Sequence, residues 1–188
     1  MRDEAFIRGK VPMTKEEVRV LTIDRLNLAN AKTLIDVGAG TGSICIEASM
    51  KYPQLQTIAI EKNPEAVELI KLNCEKFNVN NIRIIEAFAP IVPPVKEADA
   101  IFIGGSGGSL SEIIDWSYDL LIQGGRLALN FILLNNLMEA LELLRAKGFT
   151  DLDVSQLQVS RLTALGKGDY FKPNNPTYII SCLKGSEL

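Results

Sequence analysis

Histidine is absent from the 188-residue sequence. That removes the side chain that most often serves as a general base near neutral pH, and the commonest metal ligand. Any chemistry must then rest on positioning, on carboxylates or on the reactivity of a bound substrate. Cysteine is scarce: Cys45, Cys74 and Cys182 lie far apart, with no metal-ligand spacing among them. An odd count suits a reducing compartment better than a disulfide framework. Long hydrophobic runs are lacking as well. The stretch Leu127–Leu134 is too short to span a bilayer and is broken by Asn130, and Met1–Lys15 is charged without the apolar centre of a signal peptide. Nor is there an excess of basic residues. Twenty Lys and Arg against 23 Asp and Glu give a net charge of -3 and a pI of about 5.2, so no global field draws in nucleic acid. These absences predict a cytoplasmic protein without a metal, a membrane anchor or a nucleic-acid partner.

Hydrophobic residues make up 47% of the chain, enough to build one core without staples. Thr14 to Leu28 reads as a helix, with Thr14 and Glu17 at capping-box spacing. Apolar runs at Lys32–Val37, Gln56–Glu61, Asn81–Glu86, Ala98–Ile103 and Arg126–Leu133 read as strands. Thr41–Lys51, Pro64–Phe77, Leu110–Ile122 and Asn135–Lys147 read as the helices between and after them, the last stopped by Gly148. Alternating strands and helices imply a mostly parallel sheet covered on both faces. Asp153–Ser160 and Thr177–Leu183 have no helix between them, only a Gly-, Pro- and Asn-rich segment, and so predict an appended antiparallel pair. The expected organisation is one α/β domain: an N-terminal segment and helix over residues 1–30, a Rossmann-like core over 31–150, and an antiparallel hairpin over 151–188 that completes a seven-stranded sheet.

The strongest motif is Asp36-Val37-Gly38-Ala39-Gly40-Thr41-Gly42, where a strand turns into a helix. A dinucleotide fingerprint would place its third glycine at position 43, but position 43 is Ser and the glycine sits at 42. This spacing has the form of the loop that holds S-adenosylmethionine in class I methyltransferases. Glu61, ending the next strand, stands where an acid can accept hydrogen bonds from both ribose hydroxyls. Taken singly, these residues fit a tight turn and a strand-end charge. In register after successive strands they point to the cofactor.

Beyond the loop, four segments resemble the decarboxylating precorrin-6Y/cobalt-precorrin-6B C15-methyltransferases of cobalamin biosynthesis. They are Val11–Arg19, Asp36–Gly42, Ile101–Gly108, and Gly124-Gly125-Arg126 with Asn130–Leu134, and the similarity runs from about Glu4 to Tyr178. The third is the most discriminating. Methyltransferases of nucleic-acid amino groups often carry a Pro-Pro-aromatic motif at that point, whereas this chain has Gly104-Gly105-Ser106-Gly107-Gly108, an open floor for a wide ligand.

The resemblance implies methyl transfer from S-adenosylmethionine to C15 of a carboxylate-rich tetrapyrrole, with loss of carbon dioxide from the C12 acetate. It carries a cofactor role to Thr14, which also serves the capping reading, to Gly38, Ala39, Gly40, Thr41 and Gly42, to Glu61, and to Ala89 near the adenine. The chain departs from the family's Gly-Asp-Ala-Pro, having Ala87-Phe88-Ala89-Pro90. The aspartate that would meet the adenine amino group is missing, and Phe88 is positioned to pack on the ring instead. For the substrate the expected residues are Arg19, Gly104, Gly105, Ser106, Gly107, Asn130 and Arg161. Arg8, Lys10, Lys15, Arg126, Lys167 and Lys172 are further cations able to meet carboxylates. Asn130 equally fits a satisfied structural hydrogen bond. No general base stands out. A homo-oligomer such as a tetramer, with the late hairpin as contact, and a separate C5-methyltransferase partner complete what the resemblance implies. An RNA or other small-molecule methyltransferase, or a non-enzymatic cofactor sensor, are the alternatives.

Overall fold

A computed structural model of the protein describes residues 1–185; the last three positions of the expected 151–188 hairpin lie outside the described residues. The chain forms β1 (Thr33–Val37), β2 (Gln56–Glu61), β3 (Ile82–Glu86), β4 (Ala98–Ile103), β5 (Leu121–Phe131), β6 (Phe149–Leu157), β7 (Ser160–Leu165), β8 (Gly168–Pro173) and β9 (Thr177–Lys184). The helices are α1 (Glu16–Arg25), α2 (Ser43–Lys51), α3 (Pro64–Lys76), α4 (Leu110–Leu120) and α5 (Leu134–Lys147). Seven strands make one sheet in the order β3-β2-β1-β4-β5-β9-β6. The first five run parallel, and β9 is antiparallel to both β5 and β6.

Burial explains the order. β1, β2 and β4 are buried at nearly every position because helices cover both faces. Alternate side chains then divide between two cores. Ile35, Val37, Ile101, Ile103, Leu127 and Leu129 face α4 and α5. Leu34, Ala100, Phe102 and Ala128 pack with Ile23 and Leu26 of the first helical segment and Ile44 and Ala48 of α2. α4 buries Leu110, Ile113, Ile114, Ser117 and Leu120 at helical spacing.

Several expectations are corrected. Thr14 does not cap α1: Lys15 holds the N-cap position without a side-chain cap bond, and the helix gives way at Arg25. The expected helix over Leu110–Ile122 ends at Leu120, because Leu121 is already extended and pairs with Ala98. Its strand continues through Gly124 and Gly125, where the β4 register shifts, as a bulge that only small residues fit. The tail also differs. Between β6 and β9 there is no loop but a second two-stranded sheet, β7 with β8, pairing Arg161 with Lys172 and Leu162 with Phe171. Every residue of β8 is exposed, so the strand carries no buried face by which its sequence would have announced it.

The N-terminal segment is bound to this frame through buried polar groups. Asn73 of α3 accepts a hydrogen bond from the Ile7 amide at 2.7 Å, while its Nδ2 donates to the carbonyls of Ile7 and Thr41, each at 3.1 Å. One satisfied amide thus joins the N-terminal segment, α3 and the glycine turn after β1.

Candidate functional site

A cleft of about 810 Å³ opens at the carboxyl ends of the parallel strands, where the strand order reverses and ligands bind in open α/β sheets. The glycine turn after β1 forms one corner of it. Gly38 has φ +69°, and a Cβ there would lie 2.7 Å from the carbonyl oxygen of Gly105. The β1 and β4 turns therefore touch backbone to backbone, which no larger residue allows. At Gly40 a Cβ would meet the Pro12 carbonyl at 3.0 Å, so the N-terminal segment closes over the same turn.

Glu61 faces this corner. Its Oε2 accepts from the Gly40 amide and its Oε1 from the Asn63 amide, each at 2.9 Å. Two charge-assisted bonds fix the carboxylate while its remaining lone pairs stay free for a ligand's hydroxyls. Asn63 in turn caps α3 through the Glu65 amide at 3.0 Å, so the Glu61–Asn63 corner is set on both sides.

Beneath the turn, Asp36 is fully buried, and neither carboxylate oxygen has a hydrogen-bond partner among the described residues. Burial lifts its pKa from 3.8 to about 7; Cys45 opposes that rise and the Glu61 charge adds to it. Cys45, buried against the same carboxylate, is held as a neutral thiol: burial raises its pKa well above 9, and the Asp36 charge adds to the shift.

Of the expected cofactor residues, the cleft is lined by Thr14, Gly38, Ala39, Gly40, Glu61 and Ala89. Thr41 and Gly42 sit behind it: Thr41 is buried, and Gly42, with φ +76°, holds the N-cap position of α2 against Ile46 and Ile70. Of the expected substrate residues, Gly104, Gly105, Ser106 and Asn130 line it. Asn130 also donates from Nδ2 to Thr22 Oγ1 at 2.9 Å, so the structural and the cleft-facing readings hold together.

Arg19 is a correction. It is completely buried, donating to Glu47 at 2.5 Å, to the Thr14 carbonyl at 2.6 Å, to Asp3 at 3.3 Å and to the Met1 carbonyl, and it lies 4.9 Å from the Phe6 ring centroid. Its donors are spent on folding the N-terminal segment onto α2, and it takes no part in lining the cleft. Arg161 is outside the cleft as well. It projects from β7 to pair with Glu16 at 3.1 Å and with Glu17 at the start of α1. Gly107 lies beside the cleft wall, against Lys62 and Phe88. Sequence reasoning missed Lys62, and also Asn174, Asn175 and Thr177, which close the wall where β8 hands over to β9. The only signal for Lys62 was its place directly after the acid of β2.

The sheet order, the glycine turn and the fixed acid after the second strand define the class I methyltransferase fold. A family model described as a precorrin methyltransferase domain matches residues 4–184. The chain is 52% identical over 185 residues to the cobalt-precorrin-6B C(15)-methyltransferase (decarboxylating) of Salmonella typhimurium, with 98% of this chain and 96% of that protein covered. Among solved structures it is similar to precorrin-6y C5,15-methyltransferase of Geobacter metallireducens, with TM-score 0.91, 37% identity and coverage of 98% and 97%. It also resembles precorrin 8W decarboxylase of Methanobacterium thermoautotrophicum, with TM-score 0.89, 33% identity and coverage of 97% and 98%. The chain belongs to the precorrin methyltransferase family.

Proposed function

We propose that the protein transfers a methyl group from S-adenosylmethionine to C15 of a precorrin-6-type tetrapyrrole and releases the C12 acetate carboxyl as carbon dioxide. The observation that carries this reading is the fixed Glu61 carboxylate facing an open glycine corner, inside a roomy cleft. Its 810 Å³ lies in the upper part of the range of about 300–1,000 Å³ in which ligand sites fall. The identity to decarboxylating relatives supports the same reaction.

The residues present fit the cofactor. The Gly38–Gly40 turn leaves room for its methionine end, Glu61 is free to accept from the ribose hydroxyls, and Ala89 with Phe88 forms the wall for the adenine. When bound, the cofactor supplies an activated methyl group on a sulfonium. The chain itself holds the two reactants: the 104–108 loop provides a floor without side-chain bulk, and the N-terminal segment covers the corner and limits water. Orientation of this kind is worth roughly 7–11 kcal/mol of barrier. It suits a protein without histidine, because the electron-rich macrocycle supplies its own nucleophilic carbon. Decarboxylation leaves its electron pair in the same conjugated system.

Self-association belongs to this reading. The β7–β8 hairpin exposes Leu162, Leu165 and Phe171 at 64%, 67% and 68%, an apolar surface of the kind that marks an interface. A homo-oligomer, a tetramer among the expected states, would cover it. Among the described residues no helix is long and apolar enough to cross a membrane.

Calorimetric titration of S-adenosylmethionine and of NAD into the wild type and Glu61→Ala tests the cofactor. Binding of S-adenosylmethionine alone, lost or weakened at least about tenfold in the variant, is the expected result. Binding of NAD would overturn the assignment. Mass spectrometry of cobalt-precorrin-6B incubated with enzyme and cofactor then tests the reaction. The product should gain one methyl group and lose carbon dioxide, and a methyl gain with every carboxyl retained would contradict it.

A further inference from the structure

We infer that Lys62 is a recognition residue for a carboxylate of the substrate, at the mouth of the cleft beside the 104–108 loop. The inference rests on the decarboxylating reading above, since a substrate that releases carbon dioxide brings carboxylate into this cleft. Two cationic side chains line it, Lys15 and Lys62. The Lys15 nitrogen lies 3.4 Å from the Asp3 carboxylate. Lys62 has no carboxylate partner among the described residues; its ammonium rests over the Phe88 ring, 4.7 Å from the centroid.

Lys62 is exposed, but its backbone and its far end both have defined neighbours. The backbone of Lys62 stands between Glu61, held by two amide hydrogen bonds, and Asn63, which caps α3. At its far end Nζ meets the glycine loop. A Cβ on Gly107 would come within 2.9 Å of Nζ and 2.8 Å of the Phe88 ring, at a φ of +59°. The bare backbone at Gly107 is what lets the ammonium and the ring share that corner.

An aromatic face attracts a cation without accepting its N–H groups as a carboxylate does. The ammonium of Lys62 is thus parked, with donors to spare. A substrate carboxylate can take them without displacing a protein acid, whereas Lys15 would first give up Asp3 and Arg161 would give up Glu16 and Glu17. The cofactor is the less suitable partner. Its carboxylate belongs to the methionine end, which the reading above places at Gly38–Gly40, while Lys62 stands on the Phe88 side, where the adenine carries no charge.

The test compares wild type, Lys62→Gln and Lys62→Arg by titration with S-adenosylmethionine and, separately, with uroporphyrin, a stable tetrapyrrole bearing eight carboxylates, followed by its Soret band. Lys62→Gln should bind the porphyrin about tenfold more weakly, and Lys62→Arg should stay within about threefold of wild type. Any change in cofactor affinity, arising through the Phe88 wall that Lys62 touches, should be much smaller than the change for the porphyrin. Unchanged porphyrin affinity in Lys62→Gln, or a parallel loss of cofactor affinity, overturns the Lys62 assignment alone. A wild type that binds the cofactor but no porphyrin overturns the tetrapyrrole reading, and the Lys62 assignment falls with it.

Discussion

Two arginine clusters hold α1 in place, and they share chemistry while differing in environment. Arg19 meets Asp3 and Glu47 with none of its own side chain exposed; Arg161 meets Glu16 and Glu17 with 47% exposed. In the first cluster the guanidinium also donates to the carbonyls of Thr14 and Met1, so its donors are matched within a dry interior. In the second, water competes for every contact and salt screens it. The same ion pair is therefore a structural joint in one place and a loose tether in the other. The cleft depends on the first: Arg19 holds the carbonyl of Thr14, a cleft-lining residue, at 2.6 Å.

Removing Arg19 should give the largest effect. Arg19→Met leaves Glu47 with only the N-terminal amine and Asp3 with only Lys15, and the loss of the buried cation costs about 3 kcal/mol, the low end for a broken buried pair. Urea denaturation should show that loss, and calorimetry should show weaker S-adenosylmethionine binding as the Val11–Thr14 wall loosens. Stability within error of wild type would mean that the buried and exposed clusters are equivalent after all.

Asp36 sharpens the comparison, because it is buried with no cation at all. Its folded pKa is raised from 3.8 to about 7, so between those values the native state binds more protons than the unfolded chain. Stability must then fall as pH climbs from about 4 to about 7, by something on the order of 4 kcal/mol, and stay low above that. Asp36→Asn should lack this slope in melting temperature across the same window. Its net gain at pH 8 should be smaller than the full slope, since a buried amide without partners has its own cost, about 1–3 kcal/mol. An unchanged slope in the variant would assign the pH dependence elsewhere.

The contrast between the clusters also shows what the sequence could and could not tell. The glycine turn and Glu61 were legible because their meaning is local: the spacing of Gly38, Gly40 and Gly42 and the end of the next apolar run specify them. The strands of the parallel core were legible because burial on both faces leaves continuous apolar runs. Arg19 was not. In Glu16-Glu17-Val18-Arg19-Val20 it reads as a cation free to meet a substrate carboxylate, and only Glu47, 28 residues away, and Asp3 make it interior. The β7–β8 hairpin was hidden for the opposite reason: exposed on both faces, it has no apolar alternation to separate it from the Gly-, Pro- and Asn-rich turns around it. Lys62 escaped because its significance comes from Phe88 and Gly107, which approach it only in the folded chain.

The smallest effect should come from Arg161→Ala. Its pairing with Glu16 and Glu17 raises the guanidinium pKa further, but the contact is exposed, and exposed pairs contribute little against solvent and salt. The change in melting temperature should be small beside that of Arg19→Met, and should vanish at about 0.5 M salt, where screening extends only a few ångströms. Because Arg161 stands outside the cleft, affinity for a polycarboxylate porphyrin should hardly change, in contrast to Lys62→Gln. Were Arg161→Ala to weaken porphyrin binding as much as Lys62→Gln, the hairpin would have to swing over the cleft when substrate binds. The tether to α1 would then be the contact that such a movement exchanges for a substrate carboxylate.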